Sequence, residues 1–191
     1  MQRLIFLALI AALTASAHAY EFPAHVTDVV DGDTVWVLDN ENRSFKIRLL
    51  GIDAPESDQD WGQHCTTVLA RYVLYKPVSI IWDKRDRYGR LLGTVVLDGG
   101  NVNLQMVKDG CAWVYRYYDK DLPSLVRKAY YKAEDEAKQD RLNLWQDDSP
   151  IEPWQWRRGV RVAPSNDNAG HENSLVIRGV KAVEKFLFHG E

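Results

Sequence analysis

Three carboxylates and two guanidiniums stand in order along the first half of the chain. Asp33 lies in an Asp31-Gly32-Asp33-Thr34 turn, and Asp53 and Glu56 lie in a run that starts at Arg48 (Arg-Leu-Leu-Gly-Ile-Asp-Ala-Pro-Glu). Arg90 closes an Asp86-Arg87-Tyr88-Gly89-Arg90 turn. Carboxylate oxygens are the ligands that hard divalent cations prefer, and paired Arg side chains offset charge building on a phosphoryl group. The set therefore suits metal-assisted phosphodiester hydrolysis. Each piece also has an ordinary reading. Asp-Gly is a common hairpin turn, Arg48 can face water from a strand, and Tyr88-Gly89 is a plain turn.

The elements that must bring these residues together follow from periodicity. Residues 23–30, 34–38, 44–52, 78–82 and 91–97 read as five strands, the first two joined at Asp31-Gly32. In the third, Phe45, Ile47 and Leu49 share one face while Lys46, Arg48 and Leu50 share the other. Residues 61–75 change to a helical period through Cys65, Val68, Leu69, Tyr72 and Val73. A short helix is expected over 102–108, ended by Gly110 in the left-handed conformation, and the longest helix over 123–138, with Pro123 at its start. This order predicts an α+β fold that is mainly β: a five-stranded oligonucleotide-binding barrel with three appended helices. If the second and third strands form a hairpin, Asp53 approaches Asp33, and two carboxylates at one barrel mouth repel unless protonated or bridged by a cation.

Residues 1–19 read as a secretory signal peptide: Arg3, an apolar run over 4–13, and Ala17-His18-Ala19 before the cut. The domain then spans 20–160. Residues 161–191 form a polar linker with a possible short amphipathic helix of no assigned role. The expected product is secreted or periplasmic, free of the membrane once cleaved, and a monomer. The net charge of −3, one unit more negative without Arg3, opposes non-specific coating of nucleic acid but leaves room for a local basic site at Lys84, Arg85, Arg87 and Arg90. Only Cys65 and Cys111 occur, and in an exported protein such a pair is expected to form a disulfide. Closing that loop stabilises by up to about 4 kcal/mol in the chain-entropy model.

Absences narrow the chemistry. The chain has no Cys-x-x-Cys, His-x-x-x-His or Gly-x-Ser-x-Gly, so zinc hydrolysis and serine-nucleophile chemistry lack parts. Trp113, Tyr115, Tyr117 and Tyr118 beside Arg116 form an aromatic loop open to two readings, packing or base stacking. Trp154 and Trp156, before Arg157-Arg158, read as packing residues.

Over residues 24–145 the chain resembles the thermonuclease, or staphylococcal nuclease, family. The resemblance rests on Val29-Val30-Asp31-Gly32-Asp33-Thr34, the run from Arg48 to Glu56, the turn from Asp86 to Arg90 and Leu142-Asn143-Leu144-Trp145, in matching order and spacing. The Pro153-Trp154-Gln155-Trp156-Arg157-Arg158 segment is similar to the closing segment of many bacterial relatives. The resemblance implies a Ca²⁺-dependent endonuclease that cuts DNA and RNA, prefers single strands and leaves 3′-phosphate ends. It implies Asp33, Asp53 and the Ala54 carbonyl as calcium ligands, although many relatives carry Thr at that last position. It places Glu56 beside the metal and the attacking water, as general base or as a water-positioning group. Arg48 and Arg90 would bind the scissile phosphate, and Tyr88 would contact it. The competing expectations are a catalytically silent nucleic-acid-binding barrel and a calcium-binding structural protein. The first would be expected to have lost some of these residues; the second gives no reason for Arg48 and Arg90.

Overall fold

The structure is a computed structural model that describes residues 19–161. The signal-peptide reading and the reading of the tail beyond residue 161 lie outside the described residues. Strand β1 (Tyr20–Asp31) is longer than the sequence pattern suggests and pairs with two partners. Its first half runs antiparallel to β5 (Pro77–Arg85) and its second half to β2 (Thr34–Asp39). Register shifts between Val26 and Asp28 and between Val29 and Asp31 bend the strand, as bulges do, so one strand serves two walls.

Strand β3 (Ser44–Leu49) pairs antiparallel with β2 and parallel with β6 (Leu91–Leu97), which in turn pairs antiparallel with β5. The circuit β1-β2-β3-β6-β5 closes, giving the expected five-stranded barrel. Val26, Val35, Val37, Ile47, Leu49, Ile80, Leu91 and Val95 are all buried in its core.

The third strand differs from the sequence expectation. It stops at Leu49, because Gly51 takes a φ of 81°, open to glycine at little cost. The chain resumes as a separate two-residue strand, β4 (Ile52–Asp53), paired with β8 (Trp113–Val114) outside the barrel sheet. A two-residue strand has no periodicity to read, so neither was visible in the sequence.

The helices fall where the apolar spacing puts them. Helix α1 (Gly62–Val73) buries Cys65, Leu69 and Val73 against the barrel. The two-residue strand β7 (Gly100–Asn101) leads into α2 (Val102–Lys108), whose N-terminus is capped by the Asn101 side chain accepting from the Leu104 amide. Gly110 follows it with a φ of 66°, the left-handed stop expected there. Helix α3 (Ser124–Gln139) is the longest, and a single turn, α4 (Pro153–Trp156), closes the described chain.

Two buried polar groups join these layers. Asn103 of α2 accepts from the Val95 amide at 3.1 Å and donates to the Leu50 and Gly93 carbonyls at 3.1 and 3.0 Å, tying α2 to the barrel rim. Glu134 of α3 accepts from the Val114 amide at 2.8 Å and pairs with Arg116 and Lys138. A second cluster of Trp113, Ala137, Leu144 and Trp145 fills the space between α3 and β8. Among the described residues no helix is long and apolar enough to cross a membrane.

Candidate active site

The site lies where β1, β3 and β4 end and β2 begins. The turn after β1 places Asp33 one residue before Thr34, whose register partner is Arg48, and the Leu49 amide donates to the Asp33 carbonyl at 2.8 Å. The hairpin thus holds Arg48 beside Asp33. Gly51 then turns the chain so that β4 returns Asp53 to the same place. Asp33 Oδ2 accepts from the Ala54 amide at 2.8 Å, and Oδ1 accepts from the Thr34 hydroxyl at 3.0 Å.

Arg48 lies between the two aspartates. Its Nε is 3.1 Å from Asp33 Oδ1 and its Nη2 is 2.7 Å from Asp53 Oδ1, while Nη1 donates to the Leu49 and Ile52 carbonyls. Burial alone would lower the guanidinium's pKa, but Asp33 and Asp53 outweigh it and hold the pKa above its usual value. The carboxylates feel the opposite pressure. Burial pushes Asp53 up to about 6; Asp33 adds to the rise and Arg48 opposes it. Asp31, whose Oδ1 accepts from the Asp33 amide, is pushed up to about 7 by burial first and by Asp33 second. This is an electrostatically crowded mouth that favours an added positive charge.

These groups line a cleft of about 660 Å³ that also contains Ala54, Glu56, Lys84, Arg85, Arg87, Tyr88, Arg90, Tyr115, Tyr118 and Arg157. Arg90 enters from the turn between β5 and β6. Asp86 anchors it, accepting from its Nε at 2.7 Å and from its amide at 3.0 Å. Among the described residues the Arg90 Nη groups have no hydrogen-bond partner in the protein, and the guanidinium carbon sits 5.6 Å from the centre of the Tyr88 ring. Tyr88 itself is largely exposed. Arg90 and Tyr88 are therefore available to a ligand, whereas every nitrogen of Arg48 is already engaged with the protein.

All seven residues expected at the site, Asp33, Arg48, Asp53, Ala54, Glu56, Tyr88 and Arg90, line this one cleft. Sequence reasoning missed Arg157. It follows α4 and donates from Nη2 to Asp53 Oδ2 at 2.7 Å and from Nη1 to Glu56 Oε1 at 2.5 Å. The only signal was the Trp-rich closing segment, read as packing. The aromatic loop divides: Trp113 is buried against Trp145, while Tyr115 meets Tyr118, Tyr117 and Trp154 and borders the cleft with Tyr118. Cys65 and Cys111 are present as two buried thiols rather than as the expected disulfide. They are in contact, and a hydrogen bond between them, followed by burial, raises the Cys65 pKa.

Comparison with known proteins agrees with this arrangement. The family described as staphylococcal nuclease homologue matches residues 46–147. The chain is 44% identical over 135 residues to an Escherichia coli protein named uncharacterized endonuclease, covering 69% of this chain and 82% of that one. It is 38% identical over 152 residues to a protein of the same name from Haemophilus influenzae, covering 80% and 82%. It is 40% identical over 152 residues to the micrococcal nuclease of Shigella flexneri, covering 75% and 84%. With the closed barrel and the cleft of carboxylates and arginines at its mouth, these matches show that the chain belongs to the staphylococcal nuclease family, hydrolases that act on nucleic acids.

Proposed function

We propose that this protein is an exported, Ca²⁺-dependent endonuclease that hydrolyses phosphodiester bonds of DNA and RNA and leaves 3′-phosphate ends. The observation that carries the reading is the convergence of Asp33, Asp53, Glu56, Arg48 and Arg90 on one cleft.

The donor chemistry fits a hard cation. Asp33 and Asp53 are buried carboxylates that both pair with Arg48, and the Ala54 carbonyl follows Asp53 in the chain. Calcium takes six to eight oxygens, so the two carboxylates and one carbonyl would leave the remaining positions to water and a phosphate oxygen. Among the described residues no three His, Cys, Asp or Glu side chains group closely enough to hold a metal by themselves. The cation would supply Lewis-acid stabilisation of the phosphoryl oxygens and a more acidic bound water.

The chain's own residues supply the rest. Glu56 lines the cleft half-buried, where its carboxylate can orient or deprotonate an attacking water. Arg90, fixed by Asp86 through Nε, directs its Nη groups at the phosphate and meets the charge that develops in the transition state. Tyr88 stands beside it as a phosphate contact. Arg48 pairs with both aspartates and screens their repulsion, and its guanidinium would lie near a phosphate bound at the same mouth. The exposed bases of single strands are easier to admit beside Tyr115 and Tyr118 than a stacked duplex, which supports the single-strand preference.

Export is supported by the leader pattern of residues 1–19. An oxidising compartment would join Cys65 to Cys111 and tie α1 to the segment after α2. A monomer is the simplest state for this barrel.

The test is to express the whole chain with its own leader and take the mature product. It is incubated with heat-denatured DNA and with RNA, in millimolar Ca²⁺ and in chelator. Cleavage of both substrates that chelator abolishes, with 3′-phosphate ends, is the expected result. Metal-independent binding without cleavage would replace this reading with that of a silent binding barrel.

A further inference from the structure

The segment that carries Arg157 is pinned over the cleft from several sides. Pro153 is buried, and the Arg157 amide donates to its carbonyl at 3.0 Å. The Trp156 indole donates to Asp58 Oδ1 at 3.0 Å, the Gln59 amide group donates to the Ile151 carbonyl, and the Trp154 ring lies 5.7 Å from that of Tyr115. The guanidinium delivered by this anchoring meets both acids at the mouth. Nη2 and Nη1 reach Asp53 Oδ2 and Oδ1 at 2.7 and 3.3 Å, and Nη1 also reaches Glu56 Oε1. With Arg48 on Oδ1, neither oxygen of Asp53 is left without a cationic partner.

Those are the oxygens that a divalent cation on Asp53 would need. A guanidinium and a metal ion cannot share them at full strength, because each satisfies the same lone pairs and the two cations repel. We propose that Arg157 is a tethered counter-cation of the metal site: it neutralises Asp53 and Glu56 in the cation-free protein, must be displaced when a divalent ion binds, and so sets the site's affinity. The inference rests on the reading that Asp33 and Asp53 hold such an ion.

The alternative is an ordinary surface ion pair, since the Arg157 side chain is 42% exposed. Exposed pairs contribute little. The partner is not exposed, however: the Asp53 side chain is 1% accessible. What Arg157 compensates is therefore a buried charge that water cannot reach.

The experiment is a calorimetric titration of Ca²⁺ into the whole mature protein at low ionic strength. It compares wild type, Arg157→Met, Arg157→Lys and Arg85→Met. Arg85 lines the same cleft but donates to the Gly89 carbonyl, so its removal reports the loss of one charge without the contact. Arg157→Met should bind Ca²⁺ about three- to tenfold more tightly than wild type, with Arg157→Lys between them and Arg85→Met changing less than about twofold. In chelator Arg157→Met should melt below wild type, and added Ca²⁺ should raise its Tm further than it raises that of wild type. If Arg157→Met does not fold in chelator, Arg157→Lys carries the comparison. Equal affinities for wild type and the Arg157 variants would overturn the proposal, and so would an equal gain in Arg85→Met. Wild type and variants that neither bind Ca²⁺ nor cleave would instead sink the calcium reading on which the proposal stands.

Discussion

The Asp33 carboxylate accepts a hydrogen bond from the Ala54 amide at 2.8 Å, joining two turns that are 21 residues apart in the chain. This bond fixes the separation of Asp33 and Asp53 and hence the shape of the mouth between them. It depends on the small residue before Asp33. A Cβ at Gly32 would stand 2.7 Å from the Ala54 Cβ and 3.4 Å from the Cys65 Cβ, and the former is too close to accommodate without movement. Gly32→Ala is therefore expected to cost about 1–3 kcal/mol and to push the two turns apart. Thermal denaturation and calcium calorimetry check it; a variant with unchanged Tm and unchanged calcium affinity would refute the close-approach argument.

Arg48 and Arg90 should fail in different ways. Arg48 is the buried counter-ion of both aspartates, so Arg48→Ala leaves two carboxylates facing each other without it. A loss of about 3 kcal/mol of stability is expected in chelator, together with loss of cleavage. Adding Ca²⁺ should restore part of the Tm, because the ion takes over the neutralisation.

Arg90 lies in a turn at the surface, and its only hydrogen bonds among the described residues are with Asp86 and its own turn. Arg90→Ala should change stability by no more than about 0.5 kcal/mol. Turnover should fall by roughly a hundred- to a thousandfold, as for loss of one group that stabilises transition-state charge. Single-turnover cleavage of a short oligonucleotide beside a melting curve separates the two arginines.

Glu134 predicts an acid transition. Burial pushes its pKa up, but Arg116, Lys138 and the Val114 amide outweigh burial and hold it below the ordinary value of 4.5. The unfolded chain therefore takes up the proton first. The stabilisation is full above about pH 4.5 and is lost as pH falls through the lower folded value. Glu134→Gln should destabilise at neutral pH by about 2 kcal/mol and flatten stability against pH below 4.5, measurable by urea titration at several pH values. An acid limb as steep as that of wild type would assign the effect to other carboxylates.

The two cysteines give a chemical test of export. Protein recovered unreduced from the periplasm or medium should show no thiols on denaturation, and protein made in a reducing cytosol should show both. Two free thiols in the exported protein would contradict the disulfide.

Much of this protein was determined locally. Alternation in residues 44–49, the helical spacing of Cys65, Leu69 and Val73, and the stop at Gly110 are near-neighbour effects, and each element formed within a few residues of the expected limits. The hairpin of β2 and β3 likewise follows from adjacent strands, so an approach of Asp53 to Asp33 was expected, although the Gly51 turn and β4 bring Asp53 there rather than a continuous third strand.

What only the tertiary structure decided involves partners distant along the chain. The parallel pairing of β3 with β6 closes the barrel, and the meeting of β4 with β8 positions Asp53 beyond it. Glu134 reads as one more polar residue on a charged helix, yet it is fully buried because Val114 and Arg116 come to it. Arg157 reaches Asp53 across 104 positions. Periodicity and turn chemistry report how a residue sits relative to its neighbours, whereas these pairings depend on loop closure and on the burial that rewards it, and no local pattern records them.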